Sequence, residues 1–147
     1  NRTYVLKCIF SIIYYLKHMT TPFIKFIASA GFPSPAEDFL EPTLDLNKYL
    51  ITNPPATFCV RVNGNSMNGA RINSGDVLIV DRSLEPKSNN IVVATLNGNF
   101  IVKKIIINKK NIYLISDNGE QSKKIKIDDQ SDFNVWGVVT SVIIKLP

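Results

Sequence analysis

The chain has 147 residues, 45% hydrophobic, 20% charged and 10% aromatic, which suits one globular domain with a real core and a small appendage. A single histidine, His18, and two unclustered cysteines, Cys8 and Cys59, exclude clustered Cys/His zinc sites and a disulfide framework, argue against a Ser/His/Asp triad, and suit a reducing, cytoplasmic compartment. Of the formal net charge of +5, four units come from Arg2, Lys7, Lys17 and Lys25 in an acid-free stretch before Gly31, so the rest of the chain averages close to neutral and predicts a protein partner rather than sequence-specific DNA binding.

In chain order, Cys8 to Leu16 is an uncharged apolar run of nine residues between Lys7 and Lys17. That is too short to span a bilayer, which takes roughly 20 apolar residues. With Ala28-Ser29-Ala30 downstream it imitates a secretory signal, but the distance from Leu16 to Ala30, interrupted by Lys17 and Lys25, is long for that arrangement. Met19 is an alternative natural start, with residues 1–18 then a translated upstream stretch. Residues 1–30 therefore read as an N-terminal arm, and Gly31-Phe32-Pro33-Ser34-Pro35 with Pro42 as a linker over 31–43, extended and exposed rather than packed in a sheet. Leu46, Tyr49 and Leu50 share a helical face behind Asp45 as a cap, which predicts a short helix that Pro54-Pro55 stops.

From residue 57 onward the pattern is that of strands: Thr57–Val62, Val77–Val80, Ile91–Leu96, Asn99–Ile107, Asn111–Ser116, Ile125–Ile127 and Phe133–Ile144. Asn97-Gly98 between two of them is a strong hairpin signal, because both central positions of a type I′ turn require positive φ. The body, residues 44–147, is expected to be mostly β, with short strands, hairpins and one short helix. No P-loop accompanies the Gly/Asn-rich segment 63–69.

With histidine set aside, a hydroxyl can be activated by a neutral lysine, as in convergent Ser/Lys enzymes. Such a lysine belongs on an apolar strand face, where loss of water disfavours the ammonium form. In the strand Asn99–Ile107, Lys103 shares a face with Ile101 and Ile105, and Lys104 shares the other with Val102 and Ile106. Periodicity does not choose between them, and taken alone the pair is ordinary edge-strand chemistry. The serine candidate is Ser66, within Gly64-Asn65-Ser66-Met67, where permissive backbone can expose Oγ and turn amides toward an oxyanion. A Gly/Asn-rich turn with a serine is by itself more often just a turn.

Gly64-Asn65-Ser66-Met67 followed by Ser74-Gly75-Asp76-Val77-Leu78-Ile79-Val80-Asp81 resembles the nucleophile segment of the UmuD/LexA family of self-cleaving Ser/Lys peptidases. Gly98-Asn99-Phe100-Ile101-Val102-Lys103-Lys104 resembles its general-base segment, and Ala30-Gly31-Phe32-Pro33-Ser34-Pro35-Ala36 the cleavage site of its UmuD branch. The similarity covers about residues 30–147 and implies the family's peptidase fold. It implies Ser66 as nucleophile, Lys103, the first of the pair, as general base, and scission between Ala30 and Gly31. The backbone amides of Ser66 and its neighbour Asn65 are the implied oxyanion donors. No cofactor or metal is implied. The implied partners are a second copy of the chain, a RecA nucleoprotein filament that promotes cleavage after DNA damage, and a UmuC-like Y-family polymerase subunit served in error-prone translesion synthesis. Asn65 stands where one member of the family carries Asp, which alters charge beside the nucleophile without removing a catalytic group. Asp76 and Asp81 follow the family pattern but read as turn and strand-end residues. Two other readings use the same residues: a fragment of a LexA-like repressor, and a membrane-anchored signal peptidase with Cys8–Leu16 as its anchor.

Overall fold

The computed structural model describes residues 20–24, 40–109, 111–119 and 122–146. The chain divides into two compact units, residues 1–52 and 53–147. In the first, strand β1 (Thr20–Ile24) pairs antiparallel with β2 (Leu40–Asp45), and helix α1 (Leu46–Leu50) follows at once. The Asp45 side chain caps that helix as expected, accepting from the amides of Asn47 and Lys48 at 3.0 and 3.3 Å.

The two-stranded sheet corrects the reading of 31–43 as linker to its end, because residues 40–43 belong to β2 and are paired. Prolines argued against a strand there, since they have no N–H to give to a ladder. The chain accommodates them by losing register between Thr21 and Phe23, the stretch that holds Pro22 and faces Pro42 and Thr43. Regular pairing resumes on either side, at Thr20↔Asp45 and Ile24↔Leu40.

The second unit is a single antiparallel sheet of seven strands: β3 (Thr57–Arg61), β4 (Val77–Asp81), β5 (Ile91–Leu96), β6 (Asn99–Asn108), β7 (Asn111–Ile115), β8 (Lys124–Ile127) and β9 (Phe133–Ile143), in the order β3-β4-β9-β5-β6-β7-β8. The expected mostly β fold is therefore what the chain adopts. β5 to β8 form a meander in which each strand pairs with its sequence neighbour, and Asn97-Gly98 makes its first turn with φ of 48° and 79°. β9 returns to the middle, pairing with β4 on one side and β5 on the other. Its near-continuous apolar run suits a strand buried on both faces.

Both faces of the sheet carry a core. Val62, Met67, Ile72, Leu78, Val80 and Val93 form one, and Val92, Ala94, Ile105, Leu114 and Val138 the other. On β5 the alternation of Val93 with Val92 and Ala94 divides the strand between them. β9 breaks strict alternation twice. Val135 and Val138 share one core although three apart, because Trp136 is an extra residue opposite the Val93/Ala94 step. Val139 and Val142 share the other because Thr140 is extra opposite Ile79/Val80. Gly137 sits at the closest approach, where an added Cβ would lie 2.8 Å from the Asp81 carbonyl oxygen and from Val80.

Candidate active site

Strand β3 delivers the chain to Ser66. After it Val62 remains in the core, and the loop that follows is closed on itself: the Val62 amide donates to Asp76 O at 2.8 Å, the Gly75 amide to Val62 O at 2.9 Å, and the Gly64 amide to Ser74 Oγ at 3.3 Å. Gly64 adopts φ of 110°, a conformation that needs glycine. Met67 and Ile72 bridge across the loop's far end, both buried, with the Ile72 amide donating to Met67 O at 3.2 Å. Burying Ile72 completely contributes on the order of 1.5–3 kcal/mol to holding this loop against the sheet. Ser66 is thus exposed, yet its immediate successor is anchored in the core.

Lys103 comes from the middle of the ten-residue strand β6. Its cross-strand partner is Val92, fully buried, and Ile101 and Ile105 flank it two residues away along the strand. Lys103 Nζ lies 2.7 Å from Ser66 Oγ. Partial burial among these apolar neighbours holds the lysine below its ordinary value of 10.5, because the ammonium form loses water there without gaining a carboxylate. A neutral amine at hydrogen-bond distance from a hydroxyl can take its proton.

Lys104 does something different. Its Nζ is paired with Asp117 Oδ2 at 2.7 Å, both side chains mostly buried. The two lysines that periodicity left equivalent are therefore distinguished by their contacts: one faces the serine, the other a carboxylate. Asp117 also accepts from the Gly69 amide through its backbone oxygen, at 2.7 Å, which ties the serine loop to the end of β7. A side chain at Gly69 would collide with Asp117. The sequence singles Asp117 out only as a carboxylate among many lysines.

The proposed oxyanion donors belong to the same loop. Asn68, with its amide nitrogen turned toward its acceptors, donates to Asn65 O at 3.1 Å, Asn73 Oδ1 at 3.2 Å and Ile72 O at 3.3 Å. Because a peptide is planar and trans, fixing the Asn65 carbonyl directs the Ser66 amide to the opposite side. Among the described residues, neither the Asn65 nor the Ser66 amide is engaged by a protein acceptor. Ala30 and Gly31 lie outside the described residues.

The other acids and the thiol are accounted for structurally. Asp76 accepts from the Asn73 amide at 2.8 Å, and Asp81 accepts from the amide and hydroxyl of Ser83 at 2.7 and 2.6 Å. Burial pushes the Cys59 thiol up from its ordinary value, away from nucleophilic use. Cys8–Leu16 lies outside the described residues, and among those described no helix is long and apolar enough to cross a membrane.

Comparison with known proteins identifies a family. The family model for S24-like peptidases matches residues 22–140. The chain is 39% identical over 126 residues to Protein MucA of Salmonella typhimurium, covering 86% of each chain. It is 42% identical over 115 residues to Protein ImpA of Shigella flexneri, covering 78% of this chain and 77% of ImpA. It is 37% identical over 118 residues to the LexA repressor of Acidithiobacillus ferrooxidans, covering 78% of this chain and 57% of the repressor.

Proposed function

The chain belongs to the S24-like peptidase family, the UmuD/LexA group, and on that premise we propose that its Ser66–Lys103 pair cuts its own arm between Ala30 and Gly31. The observation that carries this reading is the 2.7 Å approach of Lys103 Nζ to Ser66 Oγ, with the lysine held below its ordinary pKa by burial. Neutral Lys103 takes the hydroxyl proton as Ser66 Oγ bonds to the Ala30 carbonyl carbon, and the amides of Ser66 and Asn65 receive the oxyanion. Collapse breaks the bond from the Ala30 carbonyl carbon to the Gly31 nitrogen, and Lys103 returns the proton to the leaving amine. Water, deprotonated by the same lysine, then releases the acyl group from Ser66. A methyl side chain at Ala30 and none at Gly31 let an extended segment come close to both groups.

In this reading residues 1–30 form a cleavable arm ahead of the peptidase body, and the body is a homodimeric, cytoplasmic component of the SOS response. A RecA nucleoprotein filament promotes the cut, and the shortened product serves a Y-family polymerase subunit in translesion synthesis. Family membership and the Ala30–Ala36 resemblance support that role. The test is intact-mass analysis of the purified chain beside Ser66→Ala, Lys103→Ala and Lys104→Ala. A fragment beginning at Gly31 is expected from the wild type and, more slowly, from Lys104→Ala, and from neither of the other two. Cutting by Lys103→Ala but not by Lys104→Ala would overturn the base assignment.

A further inference from the structure

The near-neutral average of the body conceals a strong separation of charge. Between Lys103 and Ile127 the sequence places seven lysines against two acids, Asp117 and Glu120. The rest of the second unit balances five basic residues against six acidic ones. Strands β6 to β8 with the loops that join them therefore carry a net positive charge, and Asp128 and Asp129 follow directly after β8.

Strand register shows where those charges emerge. β8 is an edge strand, reading Lys124-Ile125-Lys126-Ile127, with both lysines exposed. Lys126 stands opposite Tyr113 of β7, and Lys124 opposite Ile115, which in turn stands opposite Lys104 of β6. Lys124 and Lys126 thus lie on one face, about 6–7 Å apart along the strand. Lys124 Nζ sits 4.1 Å from the Tyr113 ring centroid, which steadies the ammonium above an aromatic face. The neighbouring Lys123 is exposed too, just ahead of the strand. Among the described residues of this stretch, Asp117 is occupied by Lys104 and does not offset them.

We propose that this β7–β8 face binds the phosphate backbone of nucleic acid, without reading its sequence. Two features favour a polyanion over an acidic protein surface. Lysine is depleted from protein–protein interface cores, and of the aromatic and Arg anchors such interfaces use this face offers only the half-buried Tyr113, already covered by Lys124. Lys124 and Lys126 also project from one face of an exposed strand about 6–7 Å apart, so both ammonium groups can meet one phosphate chain. The proposal does not depend on the self-cleavage reading, and it leaves intact the expectation that the body has no sequence-specific DNA contact. The competing explanation is that Lys124 and Lys126 only protect an exposed sheet edge from pairing with other chains.

Fluorescence anisotropy of the full chain with labelled mixed-sequence oligonucleotides, single- and double-stranded in separate arms, over about 50–200 mM salt, decides between them. Lys124→Glu with Lys126→Glu keeps the edge charged, so edge protection survives while phosphate attraction is reversed. The expected result is salt-dependent binding whose slope of log affinity against log salt falls in this variant by about 0.7 per lysine on single strands, or about 0.9 on duplex. A charge-matched control, Lys87→Glu with Lys145→Glu, reverses two exposed lysines elsewhere on the unit and should leave the slope unchanged. Equal loss in both variants would reduce the effect to net charge and overturn the site. No change in the Lys124/Lys126 variant would assign any binding to another region, such as the basic arm, and overturn it as well. Circular dichroism of each variant confirms that the sheet is folded.

Discussion

Raising the pH is the most direct perturbation of the Ser66–Lys103 pair, because it supplies the neutral base without substituting a residue. Burial holds Lys103 below its ordinary value of 10.5. Below the folded-state pKa the neutral fraction grows about tenfold per pH unit, so the logarithm of the self-cleavage rate should rise with a slope of about one from neutral pH and level off before 10.5. Time courses of intact mass between about pH 7 and pH 10, with circular dichroism at each point, give that profile. Lys103→Met is the companion variant: it keeps a flexible stem against Val92 and Ile105 but has no base, so it should not cleave. Its stability at neutral pH should equal or exceed that of the wild type. The sign follows from linkage. A lysine whose pKa is lower in the folded chain binds fewer protons folded than unfolded between the two values, so wild-type stability rises with pH through that window. The advantage of Lys103→Met should therefore shrink as pH approaches 10.5 and vanish above it. A cleavage rate flat in pH, a plateau at or above 10.5, or an advantage that widens with pH would refute a desolvated lysine base.

Two glycine substitutions separate site geometry from fold stability. Gly69→Ala drives a methyl group into Asp117, whose carboxylate is held by Lys104 and whose backbone oxygen accepts the Gly69 amide. The loop must shift, and since misplacing a reacting group by an ångström can cost about 100-fold in rate, cleavage should fall by one to two orders of magnitude in the alkaline mass assay. Gly137→Ala meets the Asp81 backbone oxygen and Val80 at 2.8 Å in the centre of the sheet, far from any flexible side-chain end. Thermal unfolding should report a loss of roughly 1–3 kcal/mol, the usual range for overpacking, and unchanged stability would mean that β4 and β9 can separate at little cost.

The strands and hairpins of the second unit were legible because local signals agreed with the final pairing: alternation in β3, an apolar run in β4, and Asn97-Gly98 between β5 and β6. β1 and the start of β2 were not, because Pro42 reads as a breaker and only the pairing shows that it and Pro22 both fall in the one stretch where register is lost. The parity of β9 was hidden for a related reason. An extra residue at Trp136 or Thr140 becomes visible only against the strands that it is extra to. Ser66 and a lysine in β6 could be proposed from residue type and loop chemistry, but each face of β6 carries a lysine, so alternation alone could not choose. What separates Lys103 from Lys104 is a pair of contacts that bridge 37 and 13 positions in the chain. The charge separation was also latent in the sequence, masked by averaging over a segment, residues 31–52, that holds four acids and one lysine.

The two halves of the candidate site are prepared to different degrees. Ser66 is held by a loop fastened at Val62, Gly64, Gly69 and Ile72, so its position is set before any substrate arrives. Lys103 is fixed by the sheet but only partly removed from water, so its protonation, unlike its position, still depends on what covers it. A segment drawn across Ser66 takes further water from the ammonium and shifts the lysine in the same direction as the burial already present. The substrate therefore completes its own catalyst. If the substrate is the protein's own chain, as proposed, such an open site suffices, because tethering supplies the high effective concentration that a deep binding pocket supplies to an enzyme acting on a free substrate. On the proposed self-cleavage, Ser66 can stand exposed without becoming a general hydrolase, because a passing peptide lacks the residence time and alignment to desolvate Lys103 that a tethered substrate would bring.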